Sequence, residues 1–354
     1  MKKQFFIASL ILVLLFSGAV VFAQGADEAA SKSYEVRFPT GESEGDFMTV
    51  WARNFGEYMA EETDGRWTVN VFPYGTLGEN DDIVELAQNG VVEFVFADYG
   101  WLSAYIPQTN VLALHYVWPR EGLIDILDWV NNNGAFMGQL EEKYREKGLI
   151  PLGVFFEGWQ WLTTKNTPIN SVDDLVGLKT RIMGSAMLAK DYAAYGIDPT
   201  PLPYGEIYSG LQTGLIDAQS QPMFANYSMA FYEVADHFVQ LWAEPFIGIP
   251  AVNADVFDSL SAEDQKLIRD YWKSVVKESG EQFAQKNADF KNTIAQKRPE
   301  ISFKELNEEQ VAELKDMAMT KVWPTFSEIA GEDSEMLLEM LQKDIADAQA
   351  ALGL

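Results

Sequence analysis

The sequence has no cysteine and only two histidines, His115 and His237, in 354 residues. Without thiols there is no disulfide framework, no thiolate nucleophile, no Cys-ligated zinc and no lipidation at an N-terminal cysteine. Two histidines leave little for histidine-based metal or triad chemistry, and both lie in apolar stretches that read as satisfied core positions. Basic residues are scarce as well: 26 Lys and Arg stand against 53 Asp and Glu, for a formal net charge of −27. Such a field repels polyanions, which excludes nucleic acid and anionic membrane surfaces as general partners. A small anion held by one local basic group is not excluded.

What is present begins with a targeting pattern. Lys2 and Lys3 form a positive start, residues 5–16 are an apolar run, and Val21-Phe22-Ala23 precedes Gln24 as a signal-peptidase site would require. Residues 1–23 therefore read as a signal peptide cleaved after Ala23, because the apolar run is short of the ~20 residues a membrane span needs. The chain is read as exported and soluble. With 47% hydrophobic residues it can bury one large core or two modest ones, and its length favours two domains.

Along the mature chain, Tyr34, Val36 and Phe38 alternate as in a strand, and Phe47, Val50, Trp51, Phe55, Tyr58 and Met59 follow helical spacing. A strand over 67–72, a helix over 81–89 stopped by Gly90, and a strand over 91–97 complete a β-α-β-α-β opening. A long helix over 125–147 and a strand over 149–156 follow. The alternation then resumes with a strand over 178–183, helices over 185–195 and 204–213 closed by Gly196 and Gly214, and a strand over 215–219, a second α/β unit. From Ser261 to about Lys297 the pattern is one long amphipathic helix with a Ser261/Asp264 cap, long enough to run from one domain to another. A last capped helix starts at Asn307 with Gln310 at its third position, and Pro324 should kink or end it.

Two places carry candidate chemistry. Asp98-Tyr99-Gly100-Trp101 and Gly158-Trp159-Gln160-Trp161 each follow an apolar strand, and ligands in open α/β sheets bind beyond the carboxyl ends of strands. Aromatic walls with a few polar groups describe a small-molecule pocket, with interdomain core as the competing reading of each tryptophan. Arg181 sits at the carboxyl end of its strand in a chain short of cations, and its planar fork suits a carboxylate. A surface ion pair is the alternative. The acidic group Glu79, Asp81 and Asp82 suggests either a cation site or a helix start favoured by the dipole, and the helix start is the better reading.

These residues resemble a family, the substrate-binding proteins of tripartite ATP-independent periplasmic (TRAP) transporters, DctP-like group. The match rests on Gly177-Leu178-Lys179-Thr180-Arg181 and on the run from Pro203-Tyr204-Gly205 through Leu211-Gln212-Thr213-Gly214 to Asp217-Ala218-Gln219-Ser220-Gln221-Pro222. Tyr74-Gly75-Thr76-Leu77-Gly78 and Phe231-Tyr232-Glu233-Val234 support it. The resemblance implies an α/β periplasmic-binding-protein clamshell of two domains, with hinge strands and a long domain-spanning helix. Residues 34–156 plus 247–280 would form one domain and 157–246 plus 281–354 the other. It implies a periplasmic protein, not an enzyme, that captures a small organic acid without metal or cofactor and delivers it to TRAP membrane permease subunits.

By the same resemblance Arg181 is the carboxylate anchor and Tyr204 an aromatic wall. Asp98 and Trp101 line the opposing domain, and Asn80 lies beside the Leu-Gly turn. Gln221 stands where the family usually has Asn, and Gln160 where many members carry a second Arg. With Gln160 there and Trp159 beside it, a second ligand carboxylate would lack a charge partner. The expected solute is thus a monocarboxylate with an aromatic, cyclic or sugar-like body. An exported carbohydrate-active hydrolase and a ligand-sensing receptor module remain as readings from other classes.

Overall fold

The computed structural model describes residues 32–354, so the signal-peptide reading of residues 1–23 lies outside the described residues. Among the described residues ten strands are present: β1 Tyr34–Pro39, β2 Trp67–Phe72, β3 Phe94–Asp98, β4 Leu149–Pro151, β5 Phe155–Thr164, β6 Lys179–Ile182, β7 Asp198–Pro201, β8 Ala218–Gln221, β9 His237–Asn253 and β10 Ser302–Glu305. β1 and β2 pair in parallel across the helix Phe47–Glu62, and a bridge from Thr40 to Phe96 sets β3 beside them. The larger sheet runs β10-β9-β5-β8-β6-β7, with β3 and β4 on the far half of β9.

β9 and β5 are the two strands that run through both halves of the molecule. His237–Gln240 pair with Thr164–Trp161 and with β10, whereas Gly248–Val252 pair with Asp98–Phe94 of β3. Between these stretches the β5–β9 ladder slips twice, between Phe156 and Gly158 and between Trp159 and Trp161, and Trp242 takes a left-handed φ of 54°. Bulges of this kind bend a strand pair and interrupt its hydrogen bonds, which suits a hinge. Around β3 the core is aromatic. Trp272, fully buried, has ring centroids of Phe55, Phe96 and Phe155 within 5.4–5.5 Å and that of Phe38 at 6.2 Å.

Four expectations from the sequence are corrected. The helix over 125–147 is two helices, Leu123–Asn133 and Phe136–Arg145. Gly134 between them is extended, a Cβ there would overlap the Asp344 carboxylate, and Asp344 Oδ2 instead accepts from the Phe136 N–H at 2.8 Å. The break is thus imposed by the C-terminal helix Ser334–Leu352. The long helix from Ser261 is likewise two, Ala262–Ser274 and Val276–Lys297, parted at Val275 (φ −101°, ψ 0°). Ile268, Trp272, Val276, Gly280 and Phe283 keep one apolar stripe across that break, so periodicity does not reveal it. β5 does not end near Phe156 but continues to Thr164, placing Trp159, Gln160 and Trp161 inside the strand. His237 is half-buried at the β9–β10 edge, its Nδ1 2.8 Å from Ser302 Oγ, and is no core residue.

Several local readings hold. Glu79 and Asp82 form a reciprocal capping box, as do Asn307 and Gln310, and Gly214 closes the helix Ile207–Thr213 at φ 76°. Beyond Asn307 the chain passes into a π turn over Ala318–Val322 before Pro324, as the proline requires.

The helix Val276–Lys297 is tied to the bulged stretch of β5 by one side chain. Asn287 Nδ2 donates to Glu157 O at 2.7 Å and Phe283 O at 2.8 Å, and its Oδ1 accepts from the Phe224 N–H at 3.0 Å. Asn287→Ala strands two partly buried backbone groups, so stability should fall by about 2–4 kcal/mol. Urea unfolding should show a lower midpoint at unchanged slope. A loss below about 1 kcal/mol would mean that packing alone holds helix and strand together.

Candidate functional site

Arg181 is the third residue of β6, between Thr200 of β7 and Gln219 of β8. Its neighbours turn it inward, and the residue is only 2% exposed. Nε donates to Leu202 O at 2.9 Å, whereas Nη2 has no protein partner. Burial brings the guanidinium down to about 10, opposed by Asp98, so it stays charged at neutral pH.

Asp98 ends β3 and caps the helix Tyr99–Tyr105, its Oδ1 accepting from the N–H groups of Gly100 at 2.8 Å and Trp101 at 3.2 Å. The cap fixes Trp101, whose ring lies 5.9 Å from the Arg181 guanidinium, within cation–π range.

These groups meet at a pocket of about 270 Å³. One wall carries Glu42, Asn80, Asp98 and Trp101; the facing wall carries Arg181, Tyr204 and Gln221; Phe224 and Phe246 add an apolar side. Arg181 is the one cation among the described residues that line it. A second cavity of about 200 Å³ lies behind Arg181, bordered by Gln160, Tyr192, Ser220 and Glu244. Glu244 is held there by Tyr99 Oη at 2.5 Å and Tyr192 Oη at 3.3 Å, with His115 Nε2 at 3.4 Å.

Of the residues named from the sequence, Arg181, Tyr204, Gln221, Asp98, Trp101 and Asn80 come together on the pocket. Gln160 joins them from the adjoining cavity: the slip between Trp159 and Trp161 leaves it facing Arg181. Trp159 does not join. It points to the other face of β5, packed edge-on against Trp242 at 5.4 Å and Phe156 at 6.3 Å. Trp161 likewise packs on Phe303, under Lys291. His115 is a core histidine, its Nδ1 2.9 Å from Tyr195 Oη.

Glu42, Phe224 and Phe246 escaped the sequence reading. Glu42 was within reach of it, because it stands just beyond the carboxyl end of β1, the same position relative to its strand that marks Asp98 and Arg181.

The two walls already touch at the rim. Tyr74 Oη accepts from the Gly205 N–H at 2.9 Å and donates to Glu79 Oε2 at 2.7 Å, and its ring meets Tyr204 edge-on at 5.2 Å. The capping box that holds Glu79 therefore also orients Tyr74 across the opening.

Residues 38–329 match the family described as bacterial extracellular solute-binding protein, family 7, the DctP family. The chain belongs to this family. It is 33% identical over 321 residues to the ectoine-binding periplasmic protein TeaA of Halomonas elongata, covering 91% of this chain and 93% of that protein. It is 32% identical over 342 residues to the ectoine/5-hydroxyectoine-binding periplasmic protein UehA of Ruegeria pomeroyi, covering 94% and 98%. The solved structure of the periplasmic ectoine-binding protein of the TeaABC TRAP transporter of Halomonas elongata superposes with a TM-score of 0.83 over 89% of this chain and all of that one.

The family-7 chain is thus a TRAP-transporter solute-binding protein of the two-domain α/β type, a class that binds small organic acids and works with membrane permease subunits. The hydrolase alternative finds no support among these relatives.

Glu42 and Asp98 on the first wall form a cluster with Asp46 and Glu157, and burial is the leading cause of each upward shift. Asp98 and Glu42 are pushed up to about 7 and Asp46 up to about 8, while Glu157 is raised well above the carboxylate range. The folded form therefore binds protons that the unfolded chain gives up near its ordinary values of 3.8–4.5. The stability from these groups is fully present below that range and is lost as pH rises through about 7–8. Without ligand, the melting temperature should fall between about pH 5 and pH 8. Asp98→Asn, which keeps the cap, should flatten part of that slope in scanning calorimetry, and an unchanged slope would place the titration elsewhere.

Proposed function

We propose that the protein captures a compact monocarboxylate that also carries a cationic, ring-held group, and hands it to a TRAP permease in the periplasm after export by residues 1–23. One observation carries this reading: Arg181 offers an unpartnered, buried Nη2 to a pocket whose opposite wall holds Glu42 and Asp98. A carboxylate on the ligand satisfies the guanidinium fork, and a cation on the same molecule meets the acidic wall. A dicarboxylate would set its second charge against those carboxyls, with neutral Gln160 as the alternative partner.

Ectoine, named for both relatives, is a cyclic amidinium carboxylate and has this charge pattern. Trp101, Tyr204, Phe224 and Phe246 supply flat apolar walls for such a ring.

The mechanism is capture by closure. Residues 34–156 plus 247–280 move against 157–246 plus 281–333, about the bulged β5–β9 pair. The last helix, Ser334–Leu352, assigned to the second unit by the sequence reading, moves with the first, because it packs on Leu123–Asn133 and Asp344 accepts from the Phe136 N–H. Closing removes water from the Arg181–carboxylate pair and strengthens it. The Tyr74–Gly205 contact then fastens the rim, leaving a closed form for the permease to receive.

Calorimetry with ectoine and succinate tests the reading, with ectoine expected to bind and succinate to bind far more weakly. Succinate binding above ectoine would overturn it. Arg181→Lys keeps the charge but loses the fork, and affinity should drop by about 1.5–3 kcal/mol, on the order of 10- to 150-fold.

Tyr74→Phe leaves every pocket-lining group in place but removes the rim hydrogen bonds. Its affinity should fall about 2- to 10-fold. The loss should appear mainly in the dissociation rate, measured by stopped flow, since the contact forms on closing.

A further inference from the structure

Glu157 lies on β5 one residue before Gly158, fully buried against β9. Its Oε1 fills the space a Cβ on Gly248 would take, so glycine is required opposite it. Neither carboxyl oxygen receives a hydrogen bond from a protein donor. Its neighbour is Glu42, whose Oε2 accepts from the Met48 N–H at 2.8 Å and whose Oε1 has no donor either.

Both carboxyl groups are buried, they act on each other, and three of their four oxygens have no protein donor. Two ionised carboxylates can only accept and repel each other, so burying them together without donors requires a proton on one of them.

The surrounding charges leave no substitute for that proton. Asp98 and Asp46 also face the pair, and all the groups acting on Glu157 are acidic. Arg181 acts on Asp98, Lys286 on Asp46, and Tyr204 faces Glu42 and Asp46 without a charge of its own at neutral pH. Four carboxyls thus stand against two cations, and a ligand carboxylate will occupy one of the cations.

We propose that Glu42 and Glu157 share a single proton in the ligand-free protein, and that a cationic ligand group arriving beside Glu42 displaces it. Glu157 is then the positioning residue that sets the pH range of capture. The step balances: the O–H bond of the shared acid breaks, its electron pair stays on the carboxylate, and the proton passes to bulk buffer. The ligand's positive charge takes its place, so the charge enclosed around the pair is unchanged. Burial raises Glu42 to about 7 and Glu157 well above its ordinary value, and an exchange at Glu42 therefore responds to ambient pH. Affinity for a cationic ligand should therefore rise with pH, approaching tenfold per unit while the pair remains protonated.

This inference rests on the cationic-ligand reading above, and the experiment separates the two. Ectoine is titrated calorimetrically between about pH 6 and pH 8 in buffers of different ionisation enthalpy. The native protein should release close to one proton per ectoine bound. Glu157→Gln donates an amide N–H to Glu42 permanently, so proton release should vanish and affinity become flat with pH. Glu157→Asp should restore part of the release, which a purely structural role for Glu157 would not do. Ectoine binding to the native protein without proton release overturns the proposal. If ectoine does not bind, the ligand reading fails, and infrared difference spectra of the ligand-free protein decide the pair by themselves. A protonated-acid carbonyl band at neutral pH that Glu157→Gln removes supports the shared proton, and its absence from the native protein overturns it.

Discussion

Everything in the cleft follows from placing one guanidinium where water cannot reach it. Arg181 is buried with its Nε satisfied by the Leu202 carbonyl and its Nη2 without a protein partner, so closing the cleft without a ligand would leave a charged donor unpaired. A donor left in that state costs about 1–3 kcal/mol, more when charged, and a carboxylate that fills it removes the cost. The differential between empty and filled closed forms is what lets a ligand shift the protein toward closure.

The strands turn that local energy into movement. β5 and β9 carry two of the covalent crossings between the units, the helix Val276–Lys297 carrying another, and the β5–β9 ladder is interrupted beside the pocket. Gly158 at φ 150° and Trp242 at φ 54° relax the pairing there, while β3 and β10 hold the two ends of β9 in regular sheets. Asn287 bonds the bulged segment to the long helix, so bending at the ladder also moves the pocket-side helix Met223–Ser228 through Phe224. Hinge, pocket wall and helix are therefore one connected element.

Sequence pattern was informative where the cause of structure is local. The caps at Glu79, Asn307 and Gly214 and the strand β2 are set by neighbouring residues and were legible, as was Arg181, whose place at a strand end needs no tertiary knowledge. Gly134 and Val275 broke helices for other reasons. Gly134 yields to a carboxylate more than two hundred residues away, and Val275 interrupts the helix without disturbing its apolar stripe. Trp159 was misplaced because a strand that crosses a hinge has aromatics on both faces, and composition cannot say which face meets the ligand. Glu157 was hidden by abundance: among 53 acidic residues, the few that are buried look like the many that are solvated, and only its place past a strand end distinguishes Glu42.

The same distinction separates the two sides of Arg181. Behind it, Glu244 is fully engaged by Tyr99, Tyr192 and His115. Burial alone would lower the His115 pKa, but Asp191 and Glu244 outweigh it and raise the value, so this network favours the protonated imidazole. In front, Glu42 and Asp98 line the pocket and Glu157 acts on both, without a comparable cation. A network satisfied on one side and short of positive charge on the other gives the guanidinium a direction. On the proposed function, the rear holds its position, the front leaves Nη2 for a ligand carboxylate, and the acids beyond it would discriminate between a solute that brings a cation and one that brings a second anion.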